Sequence, residues 1–91
     1  EIGLSVRNLS SKEKDKYSTN DGVLITEVKP YGRAYDQKLA QGLVIVEADK
    51  KKIDNVNDLK NIFENKKGSA VLLKLQDVEG VNMFRGIEIP E

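Results

Sequence analysis

Apolar and polar positions along the 91-residue chain change period several times, and each change marks an element. Ile2, Leu4 and Val6 alternate with Gly3, Ser5 and Arg7, the period-two pattern of a half-buried strand. A glycine inside such a strand marks a bulge, a close backbone approach or a plain edge position. Ser10 with Glu13 three residues on fits a capping box, and residues 10–17 then form a short helix too polar to enter a core. Turn chemistry over 18–22 ends in Asp21-Gly22 and hands over to a β-branched apolar run, 23–28, that predicts a central strand. Pro30 and Gly32 break it, and Ala34, Tyr35, Leu39 and Ala40 recur at helical spacing over 33–40.

Gly42 is placed to close that helix in the left-handed conformation before an aliphatic strand, 43–48. Residues 49–52 are a polar hairpin-like turn. Asp54 or Asn55 caps the clearest helix, in which Val56, Leu59, Lys60 and Phe63 fall at i, i+3, i+4 and i+7, with Ile62 widening the stripe. Gly68 releases the chain into a strand over 70–75, Glu79-Gly80 turns it, and 83–89 form the last strand before Pro90. The order strand, small helix, strand, short helix, strand, long helix, strand, strand predicts a small, partly open barrel or sandwich of α+β, mostly β, class. A sheet of that kind leaves an edge that something must manage.

Composition narrows what such a domain does. The chain is 38% hydrophobic and 33% charged, with fifteen Lys plus Arg against fifteen Asp plus Glu, so it is globular and has no net charge to attract nucleic acid or anionic membrane. Zero His and zero Cys remove the side chains most used for metal binding and for acid, base or thiol chemistry, so no catalytic residue, metal or cofactor is expected. No stretch approaches the roughly 18 apolar residues of a membrane span, so no membrane insertion is expected. Lys50-Lys51-Lys52 reads as a solvated turn rather than a nucleic-acid contact, which needs several spaced phosphate partners. A chain opening on Glu1 reads as part of a longer protein, with 1–91 as a single domain.

Four phrases in this order resemble a PDZ domain in the circularly permuted arrangement of bacterial HtrA/Do-type serine proteases. Glu1-Ile2-Gly3-Leu4 is similar to the family's carboxylate-binding loop, and Lys29-Pro30-Tyr31-Gly32-Arg33-Ala34 to its strand exit and helix entry. Gly42-Leu43-Val44-Ile45-Val46-Glu47 looks like its glycine-aspartate-aliphatic strand, and Asn55-Val56-Asn57-Asp58-Leu59 like the start of its groove helix. The closing strand matches best the C-terminal second PDZ of a two-PDZ protease. The resemblance implies a five- to six-stranded, partly open barrel capped by two helices. It departs from the pattern at Leu43, where the family has aspartate, and at Asp49-Lys50, where the family turns through asparagine-glycine. A different turn geometry is expected there, because a Cβ sits at a position that favours positive φ.

The resemblance also implies a function. Ile2, Gly3 and Leu4 would offer backbone amides to a peptide carboxylate, while Ser5, Val6, Val56, Lys60 and Phe63 would line the peptide groove. Leu59 and Ile62 are assigned to the core, and Phe63 fits either place. Val56 stands where many such domains carry a histidine that selects a hydroxyl, which implies an apolar ligand preference. The implied partners are peptides or unfolded protein segments, or neighbouring protease and PDZ domains of a homo-oligomeric, trimeric or larger periplasmic parent. The parent would be a serine endopeptidase, and this part of it no enzyme.

Overall fold

The computed structural model describes residues 3–90, apart from the side chains of Arg33 and Ala34. In chain order the elements are β1 (Leu4–Asn8), α1 (Ser11–Lys16), β2 (Val23–Val28), α2 (Arg33–Asp36), β3 (Val44–Ala48), β4 (Lys51–Lys52), α3 (Val56–Asn65), β5 (Ala70–Gln76) and β6 (Asn82–Glu88). The strands form one antiparallel sheet in the order β1-β2-β3-β5-β6, with β4 paired to β3. Register shifts at Ser5/Val6 and at Ile45/Glu47 bend the sheet toward a barrel that stays open, because among the described residues β1 and β6 each pair on one side only. No described helix is long and apolar enough to cross a membrane.

The first half of β2, Val23 to Ile25, is apolar without alternation because both of its faces are covered there. Val23 and Ile25 join Ile45, Ile53, Leu59, Val71, Leu73, Leu75 and Ile87 in the main core, while Leu24 turns to a second cluster with Leu9, Tyr17 and Val44. β5 alternates instead: Val71, Leu73 and Leu75 point inward, and Ala70 and Leu72 are exposed. Gly22 lets β2 begin this close to β3, since a Cβ there would lie 2.6 Å from Val44 Cγ1 and 2.9 Å from the Ile45 carbonyl oxygen.

The capping box of α1 forms as its sequence predicts, with the Glu13 N–H donating to Ser10 Oγ at 3.2 Å and the Ser10 N–H to Glu13 Oε1 at 3.0 Å. No residue of α1 is buried. Its C-cap Tyr17 anchors it instead, packing in the second cluster with its hydroxyl donating to the Gly42 carbonyl at 2.6 Å. The helix expected over 33–40 ends at Asp36, because Lys38 takes φ 67° and swings Leu39 into the main core.

The turn between β3 and β4 corrects the expectation of a different geometry. Ala48 pairs with Lys51, so Asp49 and Lys50 form a two-residue hairpin turn, and both hold positive φ, 52° and 68°. Asp49 is compensated: its N–H donates to the Leu72 carbonyl at 2.7 Å, its Oδ1 accepts from the Leu72 N–H at 2.9 Å, and Lys66 Nζ lies 3.3 Å from Oδ2. The Leu72 N–H, followed by Lys66, holds this carboxyl below its ordinary pKa. Among the described residues no hydrogen bond or ion pair holds the Lys50 side chain.

Lys50→Gly is therefore expected to stabilise the domain by about 0.5 to 1 kcal/mol, and Asp49→Gly to destabilise it by at least as much despite relieving the same backbone strain. Chemical denaturation of both variants checks the opposite signs.

Candidate functional site

A groove of about 450 Å³ runs between the free edge of β1 and α3. Its β1 wall is Leu4 and Val6, the half-buried members of an alternating strand whose Ser5 and Arg7 are exposed. The α3 wall carries Val56, Leu59, Lys60, Phe63 and Glu64 at successive helical spacings, continued by Lys67, and Ile89 and Pro90 complete the lining. Ile89 is fixed by two backbone bonds of 2.8 Å, its N–H to the Ser69 carbonyl and its carbonyl from the Gly68 N–H.

Two sets of polar contacts set the spacing of these walls. Asn55 caps α3, its Oδ1 accepting from the Asp58 N–H at 3.0 Å, and the Asp54 N–H donates to Asp58 Oδ2 at 2.9 Å. The Val56 N–H, one of the orphan donors of the first turn, is taken across the gap by Asn8 Oδ1 at 2.8 Å. The last residue of β1 is thereby tied to the first residue of α3. Arg7 faces away from the groove and makes a bidentate ion pair with Glu13, one bond of it at 2.7 Å, tying β1 to α1. Hydrogen bonding from Arg7, and then from the Ser10 N–H, lowers the Glu13 pKa to about 2.

At the other end of the groove, Gly3 has φ 77°, and a Cβ there would come within 3.3 Å of Lys29 Cβ and 3.6 Å of Gly32 Cα. Its carbonyl accepts from the Lys29 N–H at 2.8 Å. The segment behind it, 29–32, closes with the Gly32 N–H donating to the Lys29 carbonyl at 3.2 Å and holds Tyr31 at φ 66°. Only glycine meets both the positive φ and the close approach at position 3 without strain.

The structure thus brings together Leu4, Val6, Val56, Lys60 and Phe63 along one groove, with Gly3 at its end. Ser5 is exposed and does not line it, because strand alternation turns that side chain to the other face. Ile2 lies outside the described residues. Phe63 answers to both of its readings, half-buried against the main core and lining the groove. Leu59 is a core residue, as expected, and also floors the groove. Glu64 and Lys67 were missed although they continue the stripe four and seven residues after Lys60. Ile89 and Pro90 carry no local signal, since the fold alone returns them to α3. Among the described residues no group of three His, Cys, Asp or Glu side chains converges on a metal position.

No protein-family model matches the sequence, and no curated protein does. The fold recurs among solved structures. The HtrA3 PDZ domain bound to a phage-derived ligand, FGRWV, aligns with a TM-score of 0.84 and 17% identity over 97% of this chain and 82% of that one. The HtrA-type protease AlgW with a decapeptide aligns with a TM-score of 0.77 and 18% identity over 99% of this chain, which spans 28% of AlgW. The chain has a PDZ fold.

Removing the strand-to-helix tie by Asn8→Ala is expected to cost about 1 kcal/mol, while Asn8→Asp, which keeps the acceptor oxygen, retains most of the stability in urea denaturation. A carboxyl whose pKa is lower in the folded state stabilises above its unfolded value and ceases to as pH falls through the folded one. The Glu13 contribution is therefore present above about pH 4.5 and disappears by about pH 2. NMR titration should place the Glu13 midpoint near 2, and Arg7→Ala should return it toward its ordinary value.

Proposed function

We propose that this domain is the peptide-binding PDZ module of a periplasmic HtrA-type serine protease, capturing extended or C-terminal segments of substrate proteins by strand addition. The observation that carries the reading is the unpaired edge of β1, held beside an apolar helix face with a groove of about 450 Å³ between them. An added strand satisfies the free N–H and C=O groups of β1 and lays alternate side chains between Leu4, Val6, Val56 and Phe63.

A free terminus would end at Gly3, where the backbone amides of Ile2, Gly3 and Leu4 donate to its carboxylate. Hydrogen bonds to a charged group contribute about 1.5 to 3 kcal/mol each. The last side chain then enters the end of the groove lined by Leu4, Phe63 and Ile89. Likeness of fold to HtrA3 and AlgW, both solved with peptides, supports this use of the groove and the assignment to an HtrA-type parent. That parent would be a homo-oligomer, trimeric or larger, with hydrolysis performed elsewhere in it and residues 1–91 forming one of its domains.

A second reading, contact between domains or subunits of such an oligomer, is favoured by a different surface. Leu72, Val78, Val81 and Phe84 are exposed on and around the β5–β6 hairpin, and the register places Leu72 and Phe84 as diagonal neighbours across Gly86 and Lys74. This face leaves the groove free, so the two roles are compatible.

An NMR shift titration with short peptides bearing free apolar C-termini, each repeated with an amidated terminus, separates the readings. Saturable shifts at Gly3, Leu4 and Phe63 that vanish on amidation are the expected result. Silence at millimolar peptide, with shifts at Leu72 and Phe84 that depend on protein concentration, would leave assembly as the function.

A further inference from the structure

An open sheet has two edges, and the one beside the groove is β1. At the other, β6 pairs with β5 alone among the described residues. Which of its backbone groups stay free follows from the register. The Ile89 N–H donates to the Ser69 carbonyl and the Asp77 N–H to the Val81 carbonyl, and both pairs continue the register of the β5–β6 ladder. Bonded and non-bonded pairs alternate in an antiparallel ladder, so Met83, Arg85 and Ile87 bond to β5 while Asn82, Phe84 and Gly86 aim their N–H and C=O groups outward. Those three residues are exposed, although α2 approaches β6.

This edge lacks the protection that free strands usually carry. No proline or lysine falls within 81–88, and Asn82, Phe84 and Gly86 are uncharged in a chain that is 33% charged. The Phe84 ring is 57% exposed, with exposed Leu72 as its diagonal neighbour. One guard is present: Arg85 Nη1 donates to the Phe84 carbonyl at 2.8 Å and so occupies an outward acceptor.

The strand fits a second copy of itself. For outward groups to meet outward groups about a twofold axis, the axis must pass through a residue rather than between two. An axis at Arg85 sets two guanidinium side chains directly opposite, and one at Gly86 sets Phe84 against Glu88. An axis at Phe84 sets the two rings side by side, opposes Arg85 to Met83, and opposes Asn82 to Gly86, where even a Cβ would meet nothing within 4 Å. A contact of one short strand with one ring from each copy falls below the roughly 1,200 Å² of a stable interface, so the pairing is weak in the free domain.

We propose that two copies of this chain pair antiparallel along β6 about a twofold axis at Phe84, with Arg85 as the guard that keeps the pairing weak. This deepens the assembly reading and rests on it.

The test follows chemical shifts and amide hydrogen exchange of the domain between micromolar and millimolar concentration, with sedimentation equilibrium on the same samples. Exchange should slow with concentration at Phe84 and Gly86, whose N–H groups face outward, and stay unchanged at Arg85, already bonded to β5. Arg85→Ala frees the Phe84 carbonyl and should tighten association about ten-fold, from the worth of one hydrogen bond in each copy. Phe84→Ser should weaken it. Gly86→Pro removes one outward N–H where β5 needs none and should abolish association while circular dichroism stays unchanged. Concentration-dependent shifts at Leu72 and Phe84 that persist in Gly86→Pro, without slowed exchange at the edge in the wild type, would overturn strand pairing and leave assembly through the hairpin face standing. Absence of any concentration dependence in both the wild type and Arg85→Ala at millimolar protein would overturn the assembly reading and the pairing with it.

Discussion

The structure is organised around a gap that a folding chain would ordinarily close. β1 exposes one row of backbone donors and acceptors, and the simplest way to satisfy them is another strand or a collapsed helix. α3 is held beside that edge without filling the space, because its first free amide is already taken by Asn8 Oδ1 and its apolar face is already committed to the core through Leu59. One hydrogen bond of 2.8 Å between the end of a strand and the start of a helix thus fixes where the gap begins. The ladder extension at Ile89 fixes its floor.

Polar anchoring, rather than a larger core, holds the parts of this small domain that have little to bury. α1 has no buried residue and is held at both ends by polar groups, the Arg7–Glu13 pair with the Ser10 cap at its start and the Tyr17 hydroxyl on the Gly42 carbonyl at its finish. The hairpin turn at Asp49-Lys50 follows the same logic, since the aspartate's bonds to Leu72 and Lys66 offset a backbone conformation that L-residues rarely adopt. Tyr31, at φ 66° in the segment that buttresses Gly3, is another strained position, and strain of this kind gathers beside binding sites when surrounding packing over-determines it.

Element order and most of the core were legible because their signals are local and repeated. The alternation of Leu4 and Val6, the unbroken run of β2 and the stripe of α3 each recur over enough residues to fix both type and inward face. The short helix after Gly32 was overextended because Leu39 is apolar in either reading, and only its burial among distant strands explains the turn at Lys38. The turn at Asp49-Lys50 was misjudged for a related reason: the bonds that make its geometry tolerable come from Leu72 and Lys66, more than fifteen residues away.

For the site itself, the chain's own sequence determined the residue types: an apolar strand with a glycine before it, and a helix bearing Val56, Lys60 and Phe63 on one stripe, since periodicity assigns faces without knowing what they face. Tertiary structure alone decided that these two stripes confront each other across an open groove, that Ser5 looks away from it, and that Ile89 floors it. It also decided that, among the described residues, Glu64 pairs with Lys67 while no hydrogen bond or ion pair engages Lys60. Those outcomes depend on contacts between residues distant in sequence, chiefly Asn8 with Val56 and Ser69 with Ile89, and no local pattern specifies the distance at which two separated segments come to rest.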